Sequence, residues 1–321
     1  MGFNIQLVEK LTFVIWFLMT GLAMYFLISV ILLGEEGSRV QVTKFSAVLL
    51  YMVNYYNVFL WVRLQLALAA LVFFPVFFGL LIGVTQKGFS LTKSLFALAI
   101  VSFICGPMGI QPPLLFAMFL SFGLYTLIYS FYQIKKKEYK EVFNSFLYLT
   151  LFVLIFFLSS GYWTLTLLSF IFNSGYSDAS YGADVYAIEG LLDWTSSTTS
   201  FLNVFRLFGD SPWYSGWGGQ SYSPEFLPYT QNFILVLLSF ILPIIVFVPM
   251  VVSKYKKNLL VAFFSVLTLF GLFLSKGIHP PFGSIFSWLI KIFPLFWIHR
   301  APWQKFTIMV VLGYSVLGGL S

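Results

Sequence analysis

The chain is 321 residues long, 60% hydrophobic and only 9% charged, with 21% aromatic residues including 40 Phe. That composition lies far outside the soluble globular range and predicts a protein that uses the bilayer as solvent. The net charge of +7 does not point to nucleic acid, because the cations fall in short clusters beside apolar runs. A single cysteine, Cys105, excludes a disulfide framework.

The first apolar run, Leu11 to Leu33, is long enough to span as a helix, too long for a signal h-region, and ends in the charged GEEGSRVQ. Residues 43–58 predict a short second span, with Asn54, Tyr55, Tyr56, Asn57 and Trp61 as a polar aromatic cap at headgroup depth. A third span runs from Arg63 to Val84, interrupted by Pro75. Leu95 to Met108 is short and is expected to pair with Leu114 to Tyr132 as a tight hairpin around Pro112 and Pro113. The cluster QIKKKEYKE follows, then Ser145 to Phe172 spans. After the loop 173–231 come spans from Phe233 to Val252 and from Leu259 to Leu274, a loop from Lys276 to Phe306, and the start of a last span at Thr307.

Alternating the sides places eleven cations and four acids on one face of the membrane, and seven of each on the other. The positive-inside rule makes the first face cytoplasmic and puts the N-terminus outside. The expectation is an all-α polytopic membrane protein, a single transmembrane domain over 1–321 with about nine transmembrane helices. The external loop 173–231 and the re-entrant external segment 276–306 lie on one side of the plasma membrane. The last span ends after roughly 15 residues, below the roughly 20 that crossing needs, which suggests that the chain continues.

The external loop carries FRLFGDSPWYSGWGGQSYSPEF, from Phe205 to Phe226. Trp213, Tyr214, Trp217 and Tyr222 offer flat apolar faces with polar edges, and Asp210, Gln220 and Glu225 offer hydrogen-bonding groups, a combination that suits a sugar. Anchoring to the headgroup boundary is the competing reading of the same aromatics. Asp178, Asp184, Asp193 and Asp210 are candidates for a general base, with solvated surface acids as the bland alternative. Asp210 is preferred because it lies in the aromatic run close to Arg206. These carboxylates could also take a divalent metal, but no ligand spacing supports one.

The segment KGIHPPFGSIFSWLIKIFPLFWIHRAPWQKF, from Lys276 to Phe306, holds six cationic or protonatable groups, both histidines among them. Such groups need an interface or a wet cavity. Pro280, Pro281, Pro294 and Pro302 preclude one straight helix, while Ile285, Trp288, Leu289 and Ile292 share a face of a short helix lying in the interface. Arg300 and Lys305, with His279 and Lys276 on the entry side, would hold a phosphate, since arginine donates two parallel bonds and lysine a point charge. Snorkelling to lipid headgroups is the ordinary alternative. With no Cys or acid nearby, His279 and His299 do not read as metal ligands.

This last segment resembles the late external run of multispanning membrane glycosyltransferases of the GT-C type, in particular the arabinofuranosyltransferase-like group of archaeal and bacterial membrane proteins. The similarity is carried by Lys276, Gly277, Pro281, Phe282 and Gly283, then Arg300, Pro302, Lys305 and Phe306, with NVFRLFGDSPWY and LLYMVNYYN similar in kind. The resemblance implies transfer of a sugar from a polyprenyl-phosphate donor to a glycan or protein acceptor on the external face, in cell-envelope polysaccharide biosynthesis. Such enzymes begin with a span followed by a large external loop bearing a catalytic acid. Nothing equivalent precedes Leu11, and Glu35 and Glu36 fall on the cytoplasmic side, so that role is not transferred to them.

The functional expectation is therefore a GT-C-like transferase or part of one. Arg300, Lys305, His279 and Lys276 would hold the donor phosphate, Asp210 would be the base, and Trp213, Tyr214, Trp217 and Arg206 would contact the acceptor. The expected partners are membrane lipid, the lipid-linked sugar, and another membrane chain supplying the missing N-terminal part. The alternatives are a non-catalytic membrane subunit and a transporter or flippase of lipid-linked sugars. Mid-membrane charge and matched halves would mark ion-coupled transport, and the sequence has neither.

Overall fold

A computed structural model describes residues 5–63, 67–106, 111–173, 185–216, 219–251 and 258–321. Every regular element among them is helical. In chain order these are α1 (Ile5–Ile31), α2 (Ser38–Met52), α3 (Tyr55–Arg63), α4 (Leu68–Gln86), α5 (Leu91–Cys105), α6 (Pro112–Lys135), α7 (Tyr139–Ser159) and α8 (Gly161–Asn173). There follow α9 (Val185–Ser196), α10 (Phe201–Phe205), α11 (Pro228–Gln231), α12 (Phe233–Ser239), α13 (Ile241–Val246), α14 (Val248–Val251), α15 (Leu259–Ser275), α16 (Gly283–Ile292) and α17 (Pro302–Leu320). Helices are what a chain in lipid must form, since only they satisfy their own backbone without closing a barrel.

Four helices are long and apolar enough to cross a membrane: α1, α4, α6 and α7. A fifth crossing results if the pair formed by 224–231 and 233–246, bent by 85°, counts as one broken span. The apolar helices α5 and α15 are shorter.

The second expected span ends early because its asparagines turn the chain. Asn54 Nδ2 donates to the Leu50 and Tyr51 carbonyls at 3.1 and 3.0 Å, and its Oδ1 accepts from the Asn57 amide at 3.0 Å. One side chain thus closes α2 and caps α3. The expected pairing of α5 with α6 is also corrected. The main neighbours of α5 are α4 and α7, and α7 lies beside α6. The prolines at 112 and 113 start α6 rather than fold it back on α5, because proline fits the first turn of a helix.

Two helices form the centre. Helix α4 is apolar all round and buried along most of its length, as a helix without a polar face should be. Its Phe77 ring stacks on Phe122 of α6 at 3.7 Å, and Phe73 meets Phe156 of α7 at 5.0 Å. Helix α17 is likewise buried, between α15, α2 and α6. Outer positions such as Leu22, Phe96, Phe143 and Leu158 are exposed apolar side chains, a surface made for hydrocarbon.

The connections sort to two ends. At one, Lys87 Nζ donates to the Leu33 carbonyl at 3.5 Å, and Gly319 packs on Ala47. At the other, Tyr56 donates to the Gln304 carbonyl at 2.9 Å, Lys305 to Gln111 at 3.1 Å, and Thr195 to the Arg300 carbonyl at 2.6 Å. The described parts of 173–231 and 276–306 therefore gather at the same end.

Candidate functional site

The site is built on the first turn of α17. Successive helical residues point about 100° apart, so Trp303, Gln304 and Lys305 reach three different partners. Trp303 is buried and makes edge contacts with Tyr56, Phe59 and Trp213, at 5.6, 5.5 and 5.3 Å. Gln304 Nε2 donates to Asp210 Oδ1 at 3.1 Å, and Lys305 Nζ donates to Gln111 Oε1. Gly209 lets the Asp210 loop come this close, since a methyl group added there would stand 2.5 Å from the Trp303 ring.

Asp210 is 1% exposed, whereas Glu189, Asp193 and Glu225 lie on the surface. Of the described acids in the loop it is the buried one. Asp178 and Asp184 lie outside the described residues.

Lys305 is 9% exposed, and among the described residues it has no carboxylate partner. The Arg300 charge lies beside it. Pro302 opens the helix, and the positive end of its backbone dipole adds to the same field. His299 lies beside them, packed against Phe116, Phe296 and Phe306 at 4.9, 4.7 and 4.8 Å. Burial, then the Lys305 charge, lowers its pKa to about 3, so it is neutral at ordinary pH. Two cations and a neutral imidazole thus form an electropositive corner that an anion would stabilise.

The remaining expected residues are placed elsewhere. Lys276 is buried, and its ammonium donates to the carbonyls of His279, at 2.5 Å, and of Pro281. It pins its own loop, and burial lowers its pKa. His279 Nδ1 lies 3.0 Å from the neighbouring Pro280 carbonyl. Trp213 is 1% exposed, stacked on Phe226 at 4.8 Å as well as touching Trp303, so its faces serve packing. Tyr214 donates to the Phe208 carbonyl at 2.7 Å and accepts from Arg206 at 3.1 Å; burial raises its pKa to about 12 against the opposing pull of Arg206. Trp217 lies outside the described residues. Among the described rings of the run, Tyr222 is the exposed one, at 57%.

Sequence reasoning missed Gln111, Trp303 and Gln304 as site-builders. A glutamine beside a lysine at the start of an apolar helix is a usable signal, because an amide needs a partner there. The short helix was legible: α16 buries Phe286 and leaves Ile285, Trp288 and Ile292 exposed as an apolar face.

Among the described residues no group of three His, Cys, Asp or Glu side chains could hold a metal ion. No family model matches the chain, and neither a curated protein nor a solved structure matches it.

Proposed function

We propose that the protein is a GT-C-like membrane glycosyltransferase, or the donor-binding part of one, acting on a polyprenyl-phosphate sugar. The observation that carries this reading is the first turn of α17, where Gln304 holds the buried Asp210 while the next residue is the buried cation Lys305, close to Arg300. A lipid phosphate fits the cations and the helix N-terminus. In an inverting transfer Asp210 takes the acceptor hydroxyl proton, the new glycosidic bond forms at the anomeric carbon, and the phosphate leaves with the electron pair, its charge stabilised by Arg300 and Lys305. The exposed face of Tyr222 remains for acceptor stacking.

The nine-span reading belongs to this proposal. It counts α1, α2, α4, α5, α6, α7, the broken run 233–251, α15 and α17. The end holding Arg39, Lys87 and Lys135 to Lys137 is then cytoplasmic. The site then faces the outside of the plasma membrane, where lipid-linked sugars would meet an envelope acceptor. The acceptor is a glycan or a protein.

The test combines donor binding and transfer with a short-chain polyprenyl-phosphate sugar. Asp210→Asn should keep donor binding and lose transfer by about 100-fold or more. Lys305→Gln should weaken donor binding by about ten-fold, while Lys305→Arg should keep it. Binding unaffected by Lys305→Gln would sink the donor site. Binding without transfer in the unaltered protein would favour a non-catalytic subunit or a flippase.

A further inference from the structure

A cavity of about 370 Å³ lies at the same end of the molecule, between the α2–α3 break and the broken run α12–α13. Its walls include Val58, Leu242 and Pro243, and its polar lining comes from Asn54, Arg206 and Ser239. Arg206 is 5% exposed. Among the described residues its guanidinium meets neutral groups: Asn203 Oδ1 at 3.2 and 3.0 Å, the Tyr229 carbonyl at 2.8 Å and the Tyr214 hydroxyl at 3.1 Å. The Phe208 ring lies 5.1 Å away. Among the described residues no carboxylate balances this charge, which cannot deprotonate.

One N–H direction is weakly used. Arg206 Nη1 reaches Ser239 Oγ only at 3.5 Å, and that hydroxyl already donates to the Val236 carbonyl at 2.6 Å. Ser239 lines the cavity, so the under-used side of the guanidinium faces it. A buried cation with neutral partners gains most from an anion brought into the same low-dielectric space. The other walls are mostly apolar, and beyond them Leu237, Ile241 and Ile244 are exposed by half or more. The cavity therefore opens beside a surface suited to hydrocarbon.

We propose that this cavity binds an anionic phospholipid, its phosphate on Arg206 and one acyl chain along Val58, Leu242 and Pro243. Charge and apolar wall together favour a lipid over a soluble anion, which has nothing to place on the wall. The proposal does not depend on the transferase reading, since it uses none of the residues of the α17 turn.

The test uses Lys305→Gln as background, so that a phosphate on the α17 site does not enter the count. Retention of phosphatidylglycerol against phosphatidylcholine is read by native mass spectrometry of the detergent-purified chain. The background protein should prefer phosphatidylglycerol by about ten-fold or more, the scale of one charge-assisted contact. Arg206→Gln and Leu242→Trp should each abolish the preference, the first by removing the charge and the second by filling the cavity while leaving Arg206 and its partners in place. Should Arg206→Gln fail to fold, Leu242→Trp decides alone. Equal retention of the two lipids, or a preference that survives in either folded variant, overturns the assignment. So does displacement by sn-glycerol 3-phosphate at matched concentration, which would mean that the charge alone binds.

Discussion

His299 shows how burial, rather than residue type, sets a side chain's role. In sequence it stands beside Arg300 as a further protonatable group, yet three phenylalanine rings surround it and its pKa falls to about 3. Because the folded value lies below the unfolded one of about 6.5, the unfolded chain takes up the proton first as the solution is acidified. The contribution is complete above pH 6.5 and is lost as pH falls toward 3, with a limiting slope of about 1.4 kcal/mol per unit. His299→Phe should flatten the dependence of Tm on pH between 6.5 and 4. Identical slopes for the two proteins would mean that the imidazole is not buried and neutral. Lys305 is a contrasting case, a buried cation beside Arg300 with no carboxylate partner among the described residues, which leaves it responsive to an arriving anion.

The element that positions the site, α17, can approach α15 because glycines remove side chains where the two helices meet. Gly271 faces Met309 and Val310, and a methyl group on Gly313 would stand 1.9 Å from Thr268 Oγ1, which is itself bonded to the Phe264 carbonyl at 2.7 Å. Small residues at such a contact let the helices gain dispersion along their length, which in lipid replaces the hydrophobic drive. Gly313→Val should force them apart at a cost of about 1–3 kcal/mol or more. Loss of thermal stability together with a weakened Lys305 site is the expected result, and a variant as stable as the parent would show that the contact is looser than described. The amphipathic pattern of α16 could be read locally, since it depends on residues within one or two turns, whereas the turn at Asn54 was missed although its hydrogen bonds are also local. The partners of Trp303, Gln304 and Lys305 could not. Gln304 Nε2 bonds a residue 94 positions away and Lys305 one 194 away, while the Gln304 carbonyl is met from 248 away.

For the molecule as a whole, the hydrogen bonds that gather the connections at two ends make a prediction about sidedness. With Cys105 changed to serine, single cysteines at Glu36 and Lys87 should react with a membrane-impermeant maleimide from one side of intact cells or inverted vesicles. Cysteines at Tyr222 and His279 should react from the other. Labelling of all four from one side would rule out the two-ended arrangement. The basic end at Arg39, Lys87 and Lys135 to Lys137 is expected to be the one protected in intact cells.

By itself the sequence determined that the chain is helical and membrane-bound, because its composition is 60% apolar and its long uncharged runs, unlike the alternating strands of a barrel, satisfy their backbone in lipid as helices. It also determined where charge and aromatic rings collect, since these follow from local composition. Only the tertiary structure decided which collected residues meet. It set α7 between α5 and α6, turned Trp213 and Lys276 to packing and loop-pinning, and set Asp210 against Gln304. Those outcomes depend on which buried polar group finds a partner across the bundle, and residue spacing along the chain carries no information about that choice.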